Sequence, residues 1–352
     1  MFKKLRPFIF KLSPEVAHSF AIKALKFKQI PSNKLKENSL IKTELFGKKI
    51  NSPVGVAAGF DKNAEVYNPL FNLGFSFVEV GTITPKAQYG NPKPRVFRLV
   101  EDEALINRLG FNNQGADETS LRIEQDTPKG VLGINIGPNK DTINRVEDYL
   151  KCFRKFYNLG DYITINISSP NTENLRDFHN QIELEELLKV INNEKKKLNT
   201  KIPIAIKISP DIENNKIELI ADILIKHSVN ILIISNTTDS NRAYLRNVNR
   251  LEKGGLSGKP IEKITNKLIN SFYKIIGKKI KIIGVGGVDS GEGVFEKIIN
   301  GASLVQLYTG MVYNGPNIAV KINNELIDIL NSKGIKNISE AIGTKNDLDG
   351  LS

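Results

Sequence analysis

Cysteine is almost absent: Cys152 stands alone in 352 residues. A disulfide framework, a cysteine-ligated zinc site and an iron–sulfur cluster are therefore excluded within this chain. Histidine is nearly as scarce. His18, His179 and His227 lie far apart in sequence, which argues against a multi-histidine metal centre, and no metal is expected. No apolar run reaches the roughly 18 residues that a membrane-spanning helix needs. A secretory signal is missing too, because Lys11, Ser13, Pro14 and Glu15 interrupt any apolar stretch near the start. The chain is expected to stay in the compartment where it is made, at most resting on a membrane surface.

What is present is a globular composition, 40% hydrophobic and 25% charged, which excludes disorder. The length suits two domains, or one α/β barrel of about 250 residues with an appendage. The net charge is +12, and half of it falls in residues 1–28, where seven basic side chains face Glu15 alone. Such an excess suggests an anionic partner. Nucleic acid is not expected, because that mode interleaves basic residues with aromatics on one face. Here the charge sits beside apolar stripes instead.

Those stripes have helical spacing. Phe2, Leu5, Phe8, Ile9 and Leu12 form the first. Pro7 is awkward inside a helix, so the first turn is expected near Lys4. Ser13-Pro14-Glu15 reads as a helix start, with serine as N-cap, proline in the first helical position and an acid in the first turn. Val16, Phe20, Ala24 and Phe27 form the second stripe. Lys23, Lys26 and Lys28 crowd its last turn, where cations suit the helix dipole, and Pro31 ends it. Two readings stay open: an interfacial anchor, or a helical hairpin packed on the main body.

From residue 50 onward, short β-branched runs recur at Pro53–Ala57, Phe77–Gly81, Val131–Gly137, Tyr162–Ile167, Ile202–Ile208, Ile231–Ile234, Ile280–Val285 and Ser303–Leu307. Near-continuous apolar runs are what parallel strands buried on both faces require. Helical patterns such as Leu184–Leu198 and Ile217–His227 lie between them. Eight strands alternating with helices predict an α/β fold, a (β/α)8 TIM barrel, with the N-terminal helical hairpin added. The boundaries are expected at 1–38 and 39–352. The long gaps from Gly81 to Val131 and from Asn236 to Lys259 must hold inserted structure at the barrel's C-terminal face, where active sites sit.

Each run ends in polar residues, rich in amides and hydroxyls, with two lysines and few acids. Such a set hydrogen-bonds a planar, amide-rich ligand and an anion. Gly284-Val285-Gly286-Gly287 lacks the third glycine of a dinucleotide fingerprint, since that position is Asp289. A glycine turn after the seventh run, with Tyr308-Thr309-Gly310 after the eighth, matches the phosphate site of many barrels instead. A non-flavin phosphate-binding barrel, such as an aldolase or isomerase, shares this pattern. Lys207 on a buried strand is too costly to leave unpaired, and no carboxylate partner is evident.

Several long motifs carry a family resemblance: Gly55-Val56-Ala57-Ala58-Gly59-Phe60-Asp61-Lys62, Ile106-Asn107-Arg108-Leu109-Gly110-Phe111-Asn112-Asn113, Gly133-Ile134-Asn135-Ile136-Gly137, the run from Asn166 to Thr172, and Gly254-Gly255-Leu256-Ser257-Gly258. The chain resembles the membrane-associated, quinone-dependent (class 2) dihydroorotate dehydrogenases from residue 13 to about Pro316. The resemblance implies FMN-dependent oxidation of (S)-dihydroorotate to orotate in pyrimidine biosynthesis, with a membrane quinone as acceptor. Ser169 stands at the position of the base. A class 1-like enzyme using fumarate or NAD has cysteine there and lacks the hairpin.

The resemblance places FMN against Ala58, Gly59, Phe60, Asp61, Lys62, Thr82, Asn135, Asn166, Lys207, Ser235, Gly258, Gly287, Tyr308 and Thr309. It places dihydroorotate against Lys62, Asn107, Arg108, Leu109, Gly110, Phe111, Asn166, Asn171, Asn236 and Thr237. His18, Arg98 and Tyr308 fall on the quinone path, with a structural strut as the other reading of His18. Two positions depart from the family pattern: Ser235 in place of threonine, and Phe60 in place of leucine, whose bulk is expected to reshape the wall beside the flavin. A peripheral protein is implied, bound to an anionic surface at the cytoplasmic face of the cell (inner) membrane, as a monomer or weak homodimer.

Overall fold

The computed structural model describes residues 2–27, 29–30, 35–172, 175–240 and 242–345. The expected roles of Lys28 and Pro31 at the end of the second helix lie outside these residues.

The chain opens with α1 (Phe2–Ile9) and α2 (Pro14–Lys26). A short antiparallel pair follows, β1 (Thr43–Leu45) and β2 (Lys48–Ile50). Next come β3 (Val54–Val56), α3 (Tyr67–Phe71), β4 (Phe77–Ile83), β5 (Val96–Leu99), β6 (Ala104–Asn107) and α4 (Ala116–Gln125). Then strands and helices alternate: β7 (Val131–Ile136), α5 (Arg145–Phe156), β8 (Tyr162–Asn166), α6 (Gln181–Lys197), β9 (Ile204–Ile208), α7 (Asn214–Lys226) and β10 (Ile231–Ile234). The remainder is β11 (Gly255–Gly258), α8 (Glu262–Ile276), β12 (Lys281–Val285), α9 (Gly291–Ile299), β13 (Leu304–Leu307), α10 (Thr309–Asn314) and α11 (Ile318–Ser332).

β3, β4, β7, β8, β9, β10, β12 and β13 close into a parallel barrel in chain order. These are the eight apolar runs of the sequence. The outer helices turn one stripe inward. In α7, Ile217, Ile220, Ala221 and Leu224 are buried at spacings of three and four. Leu45 and Ile50 pack with Phe77, Val131 and Tyr162 at the strand starts, closing the barrel's lower end. The functional end is therefore the upper one.

The two insertions meet there. β5, β6 and β11 form a three-stranded antiparallel sheet, with Asn107 of β6 opposite both Val96 and Gly255. In the sequence this stretch shows only as an interruption. Its strands have four residues each, β5 half-exposed and β6 and β11 mostly buried, and Pro94 and glycine flank them.

The hairpin differs from expectation in one detail. α1 starts at Phe2, not near Lys4, and carries Pro7 inside it. The proline removes one main-chain hydrogen bond, and α1 buries no residue, so the freed carbonyl of Lys3 has water to meet. Ser13 is the N-cap of α2 with Pro14 next, as the sequence suggests, although its hydroxyl makes no cap bond.

Candidate active site

The strand ends line an open cavity at the barrel mouth. Ala58, Gly59, Lys62, Thr82, Asn166, Lys207, Ser235, Gly258, Gly287, Tyr308 and Thr309 line it, and so do Asn107, Leu109, Gly110, Phe111, Ser169, Asn171, Asn236 and Thr237. Four expected residues do not. Arg108 follows Asn107 and points to the other face, where its Nη1 reaches Glu252 at 2.7 Å. The Asp61 carboxylate accepts from the main-chain N–H of Glu65 (2.8 Å) and Val66 (2.7 Å), and burial pushes it up to about 6. Phe60 turns toward the hairpin, edge-on to His18, and also packs against Tyr308. Asn135 lies fully buried beneath Thr82.

A continuous polar chain rises to this cavity from the barrel interior. The carboxylate of Glu79, fully buried, accepts from Asn135 Nδ2 (2.8 Å), Tyr162 OH (3.0 Å) and Gln306 Nε2 (3.1 Å). Thr82 Oγ1 donates to Asn135 Oδ1 at 2.6 Å and accepts from Asn166 Nδ2 at 2.9 Å. Asn166 Oδ1 accepts from Ser168 Oγ (2.9 Å) and Asn236 Nδ2 (3.4 Å). Burial holds the Lys207 ammonium below its usual range, and Glu79 opposes that fall. Glu79 is thus a buried carboxylate acting on Lys207 that the sequence did not reveal.

Ser169 is buried one residue past Ser168 in the same strand-end segment. Its Oγ accepts from the Asn171 N–H at 3.2 Å and lies 3.5 Å from Thr172 Oγ1. Arg176 ties the loop that follows, with ion pairs to Asp239 (2.7 Å) and Asp211 (3.1 Å). Lys62 Nζ donates to the Gly59 carbonyl at 2.7 Å. Desolvation first, and then Arg95, holds that ammonium down to about 8.

A second cavity, an open tunnel, runs between the hairpin and the barrel. Its described lining is apolar except for His18, Arg98 and Tyr308. Arg98 Nη1 donates to the carbonyls of Leu12 (2.7 Å) and Phe10 (3.3 Å), and its Nε is buried without a partner. His18 meets Phe60 edge-on at 5.1 Å between ring centres, and Phe60 meets Tyr308 at 5.8 Å. Desolvation holds His18 at about 4, so it is neutral at pH 7. Tyr308 lines both cavities.

The family model described as dihydroorotate dehydrogenase matches residues 40–330. The chain belongs to the dihydroorotate dehydrogenase family. It is 44% identical to the dihydroorotate dehydrogenase (quinone) of Bartonella henselae over 95% of this chain and 93% of that one. With that of Idiomarina loihiensis it shares 43% identity, covering 93% of this chain and 100% of that one. A crystal structure of the Eimeria tenella enzyme in complex with ferulenol superposes with a TM-score of 0.91 at 37% identity, covering 95% and 96% of the two chains.

The mouth of this dihydroorotate dehydrogenase chain fits FMN. Gly258 and Gly287 have φ of +98° and +78°, which glycine adopts most readily, so bare backbone forms part of the wall. Asn112 Oδ1 and Thr237 Oγ1 line the cavity, buried and without partners. Sequence reasoning passed over Asn112 and Ser257. Ser257 Oγ lies 2.8 Å from Thr309 Oγ1 and ties the inserted sheet to the barrel. Its place opposite Leu105 depends on a register that only the folded sheet shows.

Proposed function

We propose that the chain oxidises (S)-dihydroorotate to orotate, with FMN as cofactor and a quinone as acceptor, in pyrimidine biosynthesis. One observation carries this reading. A cavity rich in amide, hydroxyl and lysine side chains and an almost wholly apolar tunnel share one side chain, Tyr308. A water-soluble acid and a lipid-soluble acceptor thereby have separate routes to one centre.

FMN, when bound, supplies the acceptor for the hydride leaving C6 of the substrate. Ser169 takes the proton from C5. A serine hydroxyl is a weak base, so it needs a relay, and Thr172 offers a hydroxyl that both donates and accepts. The amides of Asn107, Asn166, Asn171 and Asn236 match the donors and acceptors of the pyrimidine and its carboxylate. Lys62 balances negative charge on the substrate, and Lys207 does so toward the cofactor. Thr82, Asn135, Ser235, Gly258, Gly287, Thr309 and the turn from Ala58 to Asp61 complete the cofactor's surroundings.

The hairpin, residues 1–38, serves the quinone, and residues 39–352 form the catalytic body. His18, Arg98 and Tyr308 supply the tunnel's polar contacts. No helix among the described residues is long and apolar enough to cross a membrane. Phe8, Phe20 and Phe27 are 68%, 59% and 70% exposed on the hairpin, beside its lysines, which suits insertion at an anionic surface. The test is anaerobic addition of dihydroorotate to the purified protein, followed at the flavin absorbance band. Reoxidation with a panel of quinones, fumarate and NAD completes it. Bleaching reversed by quinones alone is the expected result. A band that dihydroorotate does not bleach refutes the activity, and fumarate or NAD as the better oxidant refutes the acceptor.

A further inference from the structure

The polar chain beneath the mouth has a direction, and its lower end sets it. A carboxylate on which three donors converge serves as an acceptor at every bond. Glu79 therefore obliges Asn135 to point its NH2 downward and its carbonyl upward. The Asn135 carbonyl takes the Thr82 hydroxyl proton at 2.6 Å. With its proton committed, Thr82 Oγ1 accepts from Asn166 Nδ2 at 2.9 Å. Asn166 is left with its carbonyl facing Ser168 and Asn236. Thr82, Asn166 and Asn236 line the cavity, whereas Glu79 is fully buried below it. Lys207 lines the same cavity and feels the Glu79 charge.

We propose that Glu79 is a positioning residue of this site: its carboxylate fixes the direction of the hydrogen-bond chain ending on Asn166 and Asn236, and places a buried negative charge beneath the cavity. The inference rests on the FMN reading above. Replacing the carboxylate by an amide, which donates as well as accepts, removes both effects with little change of shape. Removing one donor from the carboxylate does the opposite, because its negative charge is then less offset. Tyr162→Phe is such a change.

The experiment measures the midpoint potential of bound flavin and the orotate dissociation constant in full-length Glu79→Gln, Tyr162→Phe and wild-type holoenzymes. Glu79→Gln is expected to move the potential to a more positive value, by about tenfold in the oxidised-to-reduced equilibrium, about 30 mV for a two-electron couple. Orotate affinity is expected to fall about tenfold, the order of one hydrogen bond to a charged group. Tyr162→Phe is expected to move the potential the other way, and it carries the test if Glu79→Gln does not fold. Potentials unchanged in the variants that fold, or shifted with the same sign in both, overturn the proposal, whatever happens to thermal stability. A wild-type protein that binds no flavin, or whose flavin dihydroorotate does not bleach, overturns the FMN reading instead.

Discussion

At the barrel mouth every wall is a strand end or a loop held by paired neighbours, and most of the polar side chains facing in are tied to one another. The tunnel beside it has one wall of that kind and one that is only docked. Among the described residues of the hairpin helices, Leu25 alone is buried. Besides Leu25 and Ile22, which pack on the barrel core, and Phe10 against Tyr313, what holds α2 and the turn before it is a handful of polar ties. Glu15 Oε1 meets Arg95 at 2.9 Å, Lys26 meets Glu65 at 3.4 Å, and Arg98 holds the carbonyls of Phe10 and Leu12. The mouth is thus rigid because the barrel is, whereas the tunnel exists only while the hairpin stays down. A site that must orient a small acid for proton and hydride loss gains from the first arrangement. A channel that admits a long apolar molecule gains from the second.

The sharpest way to separate the two regions is Ser169→Ala. It should slow bleaching of the flavin by dihydroorotate about 10²-fold or more, the usual size of a general-base contribution. Stopped-flow oxidation by quinone should be unchanged. Equal impairment of both halves would make Ser169 a structural residue. Deleting residues 1–30 should do the reverse. Oxidation by long-chain quinone is expected to fall about tenfold or more, since the deletion removes one wall of the tunnel and a loss of about 1.4 kcal/mol in binding is already tenfold. Liposome sedimentation should be lost, while bleaching by dihydroorotate persists. Global unfolding of the truncated protein would show that the two regions are one cooperative unit.

Smaller effects follow from Lys62, whose ammonium is held at about 8 by burial and then by Arg95. A depressed lysine keeps its charge below that value and loses it above. The kcat/KM for dihydroorotate should therefore be level below pH 8 and fall about tenfold per pH unit above it, as expected for one free-enzyme group. Glu15 opposes the depression of Lys62. Glu15→Gln should therefore move this alkaline limb to lower pH, and by loosening the hairpin should raise the KM for long-chain quinone a few-fold. A limb that stays in place would uncouple the hairpin from the mouth altogether.

The barrel was legible because strands buried on both faces are near-continuously apolar, as in Ile231–Ile234. Most of the site was legible for the complementary reason that polar residues closing such strands need a purpose. The exceptions share a cause. Asp61 looks like a ligand in a motif but caps the turn that follows it. Arg108 and Asn107 are neighbours in sequence and opposites in space, because side chains alternate at the end of β6. Glu79 sits in a strand that reads as apolar, and its three donors come from β7, β8 and β13, which no local pattern connects. The exposed faces of Phe8 and Phe20 are equally silent in sequence, where a stripe facing water and a stripe facing a core look the same.

Tyr308, standing where the two cavities meet, also decides how a blocker would behave. A molecule lodged between Ile9, Ala17 and Met311 occupies the tunnel and leaves the mouth open. Crowding the solution with dihydroorotate would not dislodge it, because the two never compete for the same space. Its potency would depend on the lipid-soluble acceptor, and on how much of the blocker itself partitions into the membrane.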